Sequence, residues 1–335
     1  MTLMPVILGP TACGKTAVAA QLAYELGGEV ISADSRQVYR GMDIGSGKDL
    51  SDYIVKGETI PCHLINIAEP GYEYNIFEYQ RDFTLAFTDI VSRGKLPVLC
   101  GGSGMYLEAV LKGYSLPEAP SDPSFSERMH AMDDVGLLIE LSRLKKLHST
   151  TDTSDRNRGL RALEIELKRR EMEGTDKPGV SLHHNLNNEV VKWRNDENNS
   201  SLQHILFGIN PGREVVRQCI TARLQARLAG GMIEEVSSLL SKGIPPGRLK
   251  AYGLEYRYVT QYLAGELYYD EMFRLLNTAI HQFAKRQMTW FRRMERQGMK
   301  INWIEGEMTS IEKVKLIREI NDLAAEQRGI CGCSF

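Results

Sequence analysis

The sequence lacks a long hydrophobic run, since no stretch of about 18 apolar residues, the length a membrane-spanning helix needs, occurs in it. It also lacks a basic leader with a cleavage site, because its first apolar residues run directly into a glycine-containing loop. Hydrophobic residues form 42% of the chain and charged residues 25%, as in ordinary globular proteins. These features predict a cytoplasmic protein without a membrane partner.

The cysteines lack any metal-binding or pairing pattern. There are 6 of them, and only Cys331 and Cys333 lie close together in the sequence. No C-x₂-C followed by H-x₃₋₅-H occurs, so a zinc finger is not expected. Cys13 lies in a tight loop where a disulfide is hard to accommodate. We therefore expect free thiols in a reducing compartment.

The chain also lacks a strong net charge, because 41 Lys and Arg oppose 43 Asp and Glu for a formal charge of −2. The distribution is nevertheless uneven. Arginine and lysine concentrate in residues 156–170 and 285–300, and the second segment interleaves them with Trp290 and Phe291. Cations alternating with aromatic side chains suit phosphate contact and base stacking, so a nucleic-acid partner is permitted. On the pattern alone, a solvated helix face remains the alternative.

What the sequence does contain is an alternation of apolar strand-like runs and helix-length amphipathic segments. The predicted strands are 4–8, 29–33, 63–67, 96–100 and 205–209. The predicted helices are 15–26, 76–93, 213–242, 253–264, 269–298 and 309–327. Such β-α-β alternation predicts an α/β fold with a parallel sheet, whose functional residues meet at the carboxyl ends of the strands.

The first strand is followed by a loop of the form G-x-x-x-x-G-K-[ST], which is typical of a phosphate-binding loop. Its glycines let backbone N–H groups turn toward an anion, and the following helix adds the positive end of its dipole. A hydroxyl in the last position can bind Mg²⁺. The loop residues are Gly9, Pro10, Thr11, Ala12, Cys13, Gly14, Lys15 and Thr16. The motif leaves open whether the phosphate is transferred, hydrolysed or expelled.

Two further turns follow predicted strands and should lie beside this loop. Asp34 ends the second strand, where its carboxylate could accept a proton, hold Mg²⁺ through water, or simply cap a turn. The turn at 101–104, Gly-Gly-Ser-Gly, permits close backbone approach and places Ser103 toward the same crevice. By itself this turn is weak evidence for a functional site, but its predicted position beside the phosphate loop strengthens that interpretation.

These motifs and several others together resemble bacterial tRNA dimethylallyltransferases. No single motif is decisive, but their joint order over about residues 1–305 is specific to that family. The matching stretches include Gly9-Pro10-Thr11-x-x-Gly14-Lys15-Thr16, Ile31-Ser32-Ala33-Asp34-Ser35-x-Gln37-Val38-Tyr39, Gly101-Gly102-Ser103-Gly104-x-Tyr106-Leu107, Asp155-Arg156-x-Arg158-x-x-Arg161, Met232-Ile233-Glu234-Glu235-Val236 and Ala284-Lys285-Arg286-Gln287-x-Thr289-Trp290-Phe291-Arg292.

The resemblance implies transfer of a dimethylallyl group from dimethylallyl diphosphate to N6 of adenosine 37, beside the anticodon, in tRNAs reading codons that begin with U. The phosphate loop would then hold the donor's diphosphate as a leaving group, with Mg²⁺ as cofactor. The partners implied are dimethylallyl diphosphate and the anticodon stem-loop of tRNA, and a monomer is expected.

The resemblance also implies roles for individual residues. Asp34 would be the general base, and Ser103 and Arg223 would complete the catalytic set. Thr16 would bind the metal. The implied tRNA contacts are Asp34, Ser35, Arg36, Gln37, Asn157, Arg158, Gly159, Leu160, Arg161, Lys285, Arg286, Gln287, Trp290 and Arg292.

The fold implied is a P-loop nucleotide-kinase-like parallel sheet flanked by helices, with a helical insertion. Residues 1–115 and 205–305 would form the catalytic core, and 116–204 the tRNA-binding insertion, which ends in a polar excursion from 173. Residues 306–335 would form a C-terminal helix and tail. The chain departs from the family pattern at 250–255, Lys-Ala-Tyr-Gly-Leu-Glu, where the family places an RNA-contacting turn.

Three other functions remain open from the sequence. An isopentenyltransferase acting on free adenine nucleotides would keep the loop and Asp34 without needing the two arginine-rich segments. A P-loop small-molecule kinase would use Asp34 on a phosphoryl acceptor. A nucleotide-dependent RNA-binding protein would bind RNA without any group transfer.

Overall fold

The computed structural model describes residues 3–114, 125, 127, 129, 132–144, 156–173, 202–306 and 308–327. Most of the predicted polar excursion, and both Cys331 and Cys333, lie outside these residues. The chain divides into two compact units, Met1–Tyr114 with Val190–Phe335, and Ser115–Glu189.

The larger unit is built on a sheet of 6 strands in the order β5-β2-β6-β1-β7-β8, and every neighbouring pair is parallel. The predicted α/β class with a parallel sheet is confirmed. The strands of the sheet are β1 (Met4–Leu8), β2 (Glu29–Ala33), β5 (Cys62–His63), β6 (Pro97–Gly101), β7 (His204–Asn210) and β8 (Ile301–Glu305). A separate antiparallel pair joins β3 (Ile54–Val55) to β4 (Glu58–Thr59).

Two edges of the sheet differ from the sequence prediction. The strand predicted at 63–67 ends after His63, because Leu64 and Asn66 adopt left-handed backbone angles (φ 63° and 57°) that cannot continue a strand. At the opposite edge, β8 was not predicted and pairs in parallel with β7. Only Ile301 and Ile304 of this strand are buried, so it has neither a continuous apolar run nor a regular alternation to identify it.

Side chains alternate across the sheet, as strand geometry requires. Met4, Val6 and Leu8 of β1 point to the face that is covered by helices α2 (Ile76–Ser92) and α3 (Gly104–Leu111). Ile7 points to the other face, where α1 (Lys15–Glu25) packs. The C-terminal helix of the described chain, Ser310–Gln327, covers the same face through Val314 and Ile317.

The segment after β7 is helical. Its helices are α6 (Arg213–Ala229), α7 (Met232–Ser241), α8 (Pro246–Ala251), α9 (Leu254–Leu263), α10 (Tyr269–Arg296) and α11 (Ser310–Gln327). The single helix predicted over 213–242 is wrong, because the Gly230-Gly231 pair interrupts it. Gly231 has φ 99°, which no helical residue adopts.

The smaller unit has a core of its own. Helices α4 (Asp134–Leu144) and α5 (Arg156–Glu173) enclose Leu137, Leu141 and Leu163 together with Phe125. An Arg156–Asp134 ion pair joins the two helices. Across the residues described in both units, no helix combines the length and apolarity needed to cross a membrane.

Candidate active site

The phosphate loop joins the carboxyl end of β1 to the first turn of α1. Ala12 and Gly14 have positive φ values of 62° and 78°, and Gly14 is the residue immediately before the helix. These angles give the curled backbone that directs N–H groups into a common concavity. The Lys15 ammonium lies 3.4 Å from the Pro10 carbonyl, folded over the loop. The loop therefore has the geometry of an anion site at a helix N-terminus.

The Asp34 turn and the Ser103 turn lie together beside this loop, because β2 and β6 are neighbours and β6 also pairs with β1. The Ser35 N–H donates to Ser103 Oγ at 3.2 Å, and the Ser103 N–H donates to the Ala33 carbonyl at 3.2 Å. The structure thus brings Asp34 and Ser103 to the same sheet edge as the phosphate loop.

Asp34 is held by its own turn. Its Oδ1 accepts the Arg36 backbone N–H at 2.9 Å, which is the contact expected of a turn-capping aspartate. Oδ2 has no hydrogen-bond partner among the described residues. The side chain is only partly buried, so one carboxylate oxygen fixes its orientation while the other is open to a substrate.

Arg223 reaches the phosphate loop from α6. Its Nη2 donates to the Thr11 hydroxyl, and its Nη1 lies 3.8 Å from Asp49 Oδ2. Burial first, and then the nearby Arg227, lower the pKa of Arg223 below its ordinary value, while Asp49 opposes this. A guanidinium is effectively always protonated, so a fixed cation stands at the edge of the cradle.

Two carboxylates that the sequence reasoning missed also lie here. Asp49 accepts Arg227 Nη2 at 3.0 and 3.1 Å. Burial raises the pKa of Asp52, and Asp49 raises it further, whereas Arg223, Arg227 and Lys15 act against the rise. Neither residue belongs to a motif of the sequence, so only the fold places them beside the phosphate loop.

The loop at 43–45 is held by Glu235, another residue whose function the sequence did not reveal. The Glu235 carboxylate accepts the backbone N–H groups of Asp43, Ile44 and Gly45 at 2.7, 2.7 and 3.0 Å. Tyr256 donates its hydroxyl to the same carboxylate at 2.8 Å. Burial raises the pKa of Tyr256 well above its ordinary range, so the phenol stays protonated and remains a donor.

Gln37, predicted to contact tRNA, has both ends of its amide bound within the protein. Oε1 accepts from the Ser32 hydroxyl at 3.1 Å, and Nε2 donates to the Gly47 carbonyl at 3.0 Å. Gln287, predicted to contact tRNA, is likewise buried and bound to Thr11 and Gly102. Their assignments as tRNA contacts stay predictions.

Arg36 is fixed by the segment that departs from the family pattern. Its guanidinium pairs with Glu255 at 3.3 Å and lies 4.8 Å from the centroid of the Phe283 ring. Gly253 packs so closely on it that an added Cβ would lie 2.8 Å from Arg36 Nε. The altered turn therefore orients Arg36 in this chain.

On α10, the predicted tRNA contacts divide by helix face. Lys285, Arg286 and Arg292 are exposed. Trp290 is only partly exposed, with Arg293 stacked 3.9 Å from its ring centroid. Trp290 also packs on Gly104, where an added Cβ would lie 2.3 Å from the indole. The cations thus face solvent while the indole packs on the Ser103 turn.

The predicted contacts at 157–161 belong to the smaller unit. They form part of α5, in which Gly159 and Leu160 are buried and Arg161 pairs with Glu164. The side chains of Asn157 and Arg158 lie outside the described part of the structure.

The residues near the loop fit a magnesium ion that is held mainly by its substrate. Thr16 offers a hydroxyl in the first turn of α1. Within the described residues, no group of three His, Cys, Asp or Glu side chains could hold a metal by itself. Mg²⁺ commonly keeps waters and phosphate oxygens among its six ligands, so a single hydroxyl suits it here.

Comparison with known proteins gives two family matches. The model of the family described as IPP transferase matches residues 37–294, and that described as isopentenyl transferase matches residues 2–61. The chain is 48% identical to tRNA dimethylallyltransferase 1 of Porphyromonas gingivalis, with 95% of this chain and 98% of that relative aligned. It is 49% identical to tRNA dimethylallyltransferase 2 of Bacteroides fragilis, over 93% of this chain and 96% of that relative.

The fold has solved counterparts. The structure is similar to that of the full-length tRNA isopentenylpyrophosphate transferase from Bacillus halodurans, with a TM-score of 0.63 and 26% sequence identity. The similarity covers 97% of this chain and 96% of that protein. The fold of this chain is therefore shared with that relative over nearly the full length of both proteins.

Proposed function

We propose a specific reaction for this chain, which belongs to the IPP transferase family and is a transferase that prenylates tRNA. The family model covers residues 37–294, and curated tRNA dimethylallyltransferases are 48% and 49% identical along nearly the full chain. The finer proposal is that dimethylallyl diphosphate is the donor and that N6 of adenosine 37, beside the anticodon, is the acceptor. The tRNAs would be those reading codons that begin with U.

One observation carries this proposal. The phosphate loop, Asp34 and Ser103 follow neighbouring strands, and Arg223 reaches into the same loop through Thr11. An anion cradle and an available carboxylate therefore stand at one sheet edge. That arrangement suits a reaction in which an anion leaves while a proton is taken from the attacking group.

The donor side of the reaction uses the phosphate loop. As the carbon–oxygen bond of the donor breaks, negative charge grows on the departing diphosphate. The loop N–H groups, the Lys15 ammonium and the Arg223 guanidinium are positioned to stabilise that charge. Mg²⁺ at Thr16, when bound, would supply further charge neutralisation on the same oxygens.

The acceptor side uses Asp34. The adenine N6 is a weak nucleophile because its lone pair is delocalised into the ring, and its attack forms the new carbon–nitrogen bond. The N6 proton must leave, and Asp34 Oδ2 is the open oxygen that can take it while Oδ1 stays bound to the Arg36 N–H. Ser103, bonded to the Ser35 N–H, holds this turn at the crevice. The products are prenylated tRNA and diphosphate.

The alternatives are not favoured. An enzyme for free adenine nucleotides would need no cationic face, whereas α10 exposes Lys285, Arg286 and Arg292 to solvent. A small-molecule kinase or an RNA-binding protein without transfer is disfavoured by relatives that are named tRNA dimethylallyltransferases at 48% and 49% identity.

A single incubation tests the proposal. Purified protein is mixed with Mg²⁺, labelled dimethylallyl diphosphate and either unmodified tRNA or adenosine monophosphate. We expect label on tRNA only, at the adenosine beside the anticodon. Label on the free nucleotide, or on neither acceptor, would contradict the proposal.

The Asp34→Asn variant tests the general base. We expect kcat to fall about 100-fold or more, because a positioned base contributes roughly that factor. The KM for tRNA should change little, since the amide keeps the shape of the carboxylate. Asp270→Asn, at an exposed position on α10, is the matched control and should retain full activity. An active Asp34→Asn enzyme would mean that another group takes the proton.

A further inference from the structure

The geometry points to Gln287 as a positioning residue that fixes the phosphate loop against the turn after β6. This inference rests on the proposed function only in that the loop binds diphosphate. The sequence resemblance instead placed Gln287 among the tRNA contacts. Gln287 is 8% exposed, whereas its neighbours Lys285 and Arg286 on α10 are exposed.

The Gln287 amide joins two loops that are distant in the chain. Its Oε1 accepts the Thr11 backbone N–H at 2.8 Å, and its Nε2 donates to the Gly102 carbonyl at 2.9 Å. Both distances are those of well-formed hydrogen bonds. One side chain therefore connects the phosphate loop to the turn that carries Ser103.

The contact fixes the direction of the Thr11 peptide. The Thr11 N–H is bound to Gln287, while the Thr11 hydroxyl accepts a hydrogen bond from Arg223. Thr11 is thus held on its backbone from α10 and on its side chain from α6. Without Gln287, the Thr11 N–H and the Gly102 carbonyl would each be without this partner, which favours other loop conformations.

The chemistry of the site requires an amide. Glutamate lacks the donor that the Gly102 carbonyl needs, and methionine, of similar length, lacks both the donor and a strong acceptor. Glycine at 102 is required for a related reason. An added Cβ there would lie 2.4 Å from Gln287 Nε2, 3.2 Å from the Gly9 carbonyl oxygen and 3.5 Å from Lys15 Cε. The Lys15 side chain therefore lies close to the contact between Gln287 and Gly102.

The contact can be removed from either side. Gln287→Met deletes both hydrogen bonds, and Gly102→Ala displaces the amide while leaving Gln287 in the sequence. Gly102 is not among the positive-φ glycines, so alanine is compatible with its backbone. Because both substitutions remove the same contact, their effects should not add. The pyrophosphate Kd of the double variant should therefore be no higher than that of the weaker-binding single variant.

The measurement is the Kd for inorganic pyrophosphate with Mg²⁺, by calorimetry on the full chain, together with the KM for dimethylallyl diphosphate and for tRNA. We expect both single variants to raise the pyrophosphate Kd and the donor KM about tenfold, the effect of removing one to two hydrogen bonds. The KM for tRNA should stay within about twofold, because no group that binds tRNA is removed.

The matched control is Gln80→Met. Gln80 is also 8% exposed and also donates through Nε2 to a backbone carbonyl, that of Ala109 at 2.7 Å, but it lies on α2 away from the loop. It loses one buried hydrogen bond and should lower thermal stability while leaving the pyrophosphate Kd unchanged. Equal loss of pyrophosphate affinity in Gln80→Met would show that Gln287 acts only through general stability.

Other results would also overturn the inference. A folded Gln287→Met protein with normal pyrophosphate affinity and a raised KM for tRNA would identify a tRNA contact instead. If Gln287→Met does not fold, Gly102→Ala decides alone, and normal pyrophosphate affinity in that variant contradicts the inference. Pyrophosphate binding needs no prenyl transfer, so a wild-type protein that binds it without prenylating tRNA contradicts only the proposed function.

Discussion

At the scale of single residues, the site depends on how each charge is held. Arg223 donates to Thr11 while Asp49 lies near its other nitrogen, and Arg227 shares the same carboxylate. A partly buried cation without a counterion would cost several kcal/mol. Asp49 therefore lowers the free-energy cost of holding the charged Arg223 at the phosphate loop before any anion binds.

Arg223→Lys tests whether the planar geometry of the guanidinium, and not only its positive charge, contributes to the reaction of the prenyl donor. We expect kcat/KM for the prenyl donor to fall about 100-fold, because the compact ammonium cannot reach Thr11 and the leaving group together. The KM for tRNA should hold. Steady-state kinetics with each substrate varied in turn measures both values.

The matched control for this substitution is Arg318→Lys. Arg318 pairs with Glu25 at 3.0 Å on the far side of α1, and 45% of its side chain is exposed. This variant should behave as wild type. A loss in Arg318→Lys equal to that in Arg223→Lys would assign the effect to general stability instead of donor binding.

At the scale of elements, α10 has two faces with different tasks. Ala284, Gln287 and Phe291 lie on its buried face, which packs on the sheet and the phosphate loop. The exposed face carries Lys285, Arg286 and Arg292. The 3.6-residue periodicity of the helix places these two sets of residues on different faces. The buried face can therefore support the donor site while the exposed face contacts an anionic partner.

Replacing Lys285, Arg286 and Arg292 together by Gln tests the outer face. We expect weaker tRNA binding and a shallower salt dependence, with the log–log slope smaller by roughly 0.7 for each phosphate that is no longer neutralised. The pyrophosphate Kd should be unchanged. Filter binding over a range of salt concentrations provides the slopes.

The control changes net charge equally at a different place, with Lys95, Lys242 and Lys315 replaced by Gln. All three are exposed in the same unit, Lys95 and Lys242 in turns after helices and Lys315 on α11. An equal loss of tRNA affinity in this control would indicate that overall charge, and not the α10 face, attracts the RNA.

At the scale of the whole molecule, a charge cluster lies at the sheet edge opposite the site. Glu29 begins β2 and accepts His63 of β5 at 2.7 Å and Arg93 Nη2, just after α2, at 2.8 Å. The Arg93 hydrogen bond is the largest influence holding the pKa of Glu29 at about 2, although burial opposes it.

This pKa shift predicts a pH dependence of stability. The folded-state pKa of Glu29 is about 2 against an ordinary 4.5, so the unfolded chain binds more protons between these values. The stabilisation is therefore complete above about pH 4.5 and is lost as pH falls toward 2. Because solvent screens the exposed Arg93, we expect the lowered pKa of Glu29 to contribute roughly 2 kcal/mol to the free energy of unfolding at neutral pH.

Glu29→Gln tests it by urea unfolding between pH 7 and pH 3. The variant should be less stable at pH 7 by about that amount, and the difference from wild type should shrink as the pH falls. Glu69→Gln, which removes an exposed partner of Arg40, is the control. A difference that stays constant with pH would contradict the assignment.

The sequence by itself determined the α/β class, the phosphate loop and the family resemblance. Each of these is local: an apolar run, a glycine-lysine spacing at 9–16, or a motif that can be read in order along the chain. Strong local patterns also fixed most helix positions. The prediction missed the strand β8, whose local pattern is weak, and it ran one helix through the Gly230-Gly231 pair, although a glycine pair is a strong local signal for a break.

Only the tertiary structure decided which side chains share the site. Thr11 and Gln287 are 276 residues apart in sequence, and Arg36 and Glu255 are 219 apart. Glu235, Asp49 and Asp52 belong to no catalytic pattern in the sequence. Such contacts depend on how strands pair and helices pack over the sheet, which is a property of the whole core and is encoded in no single segment.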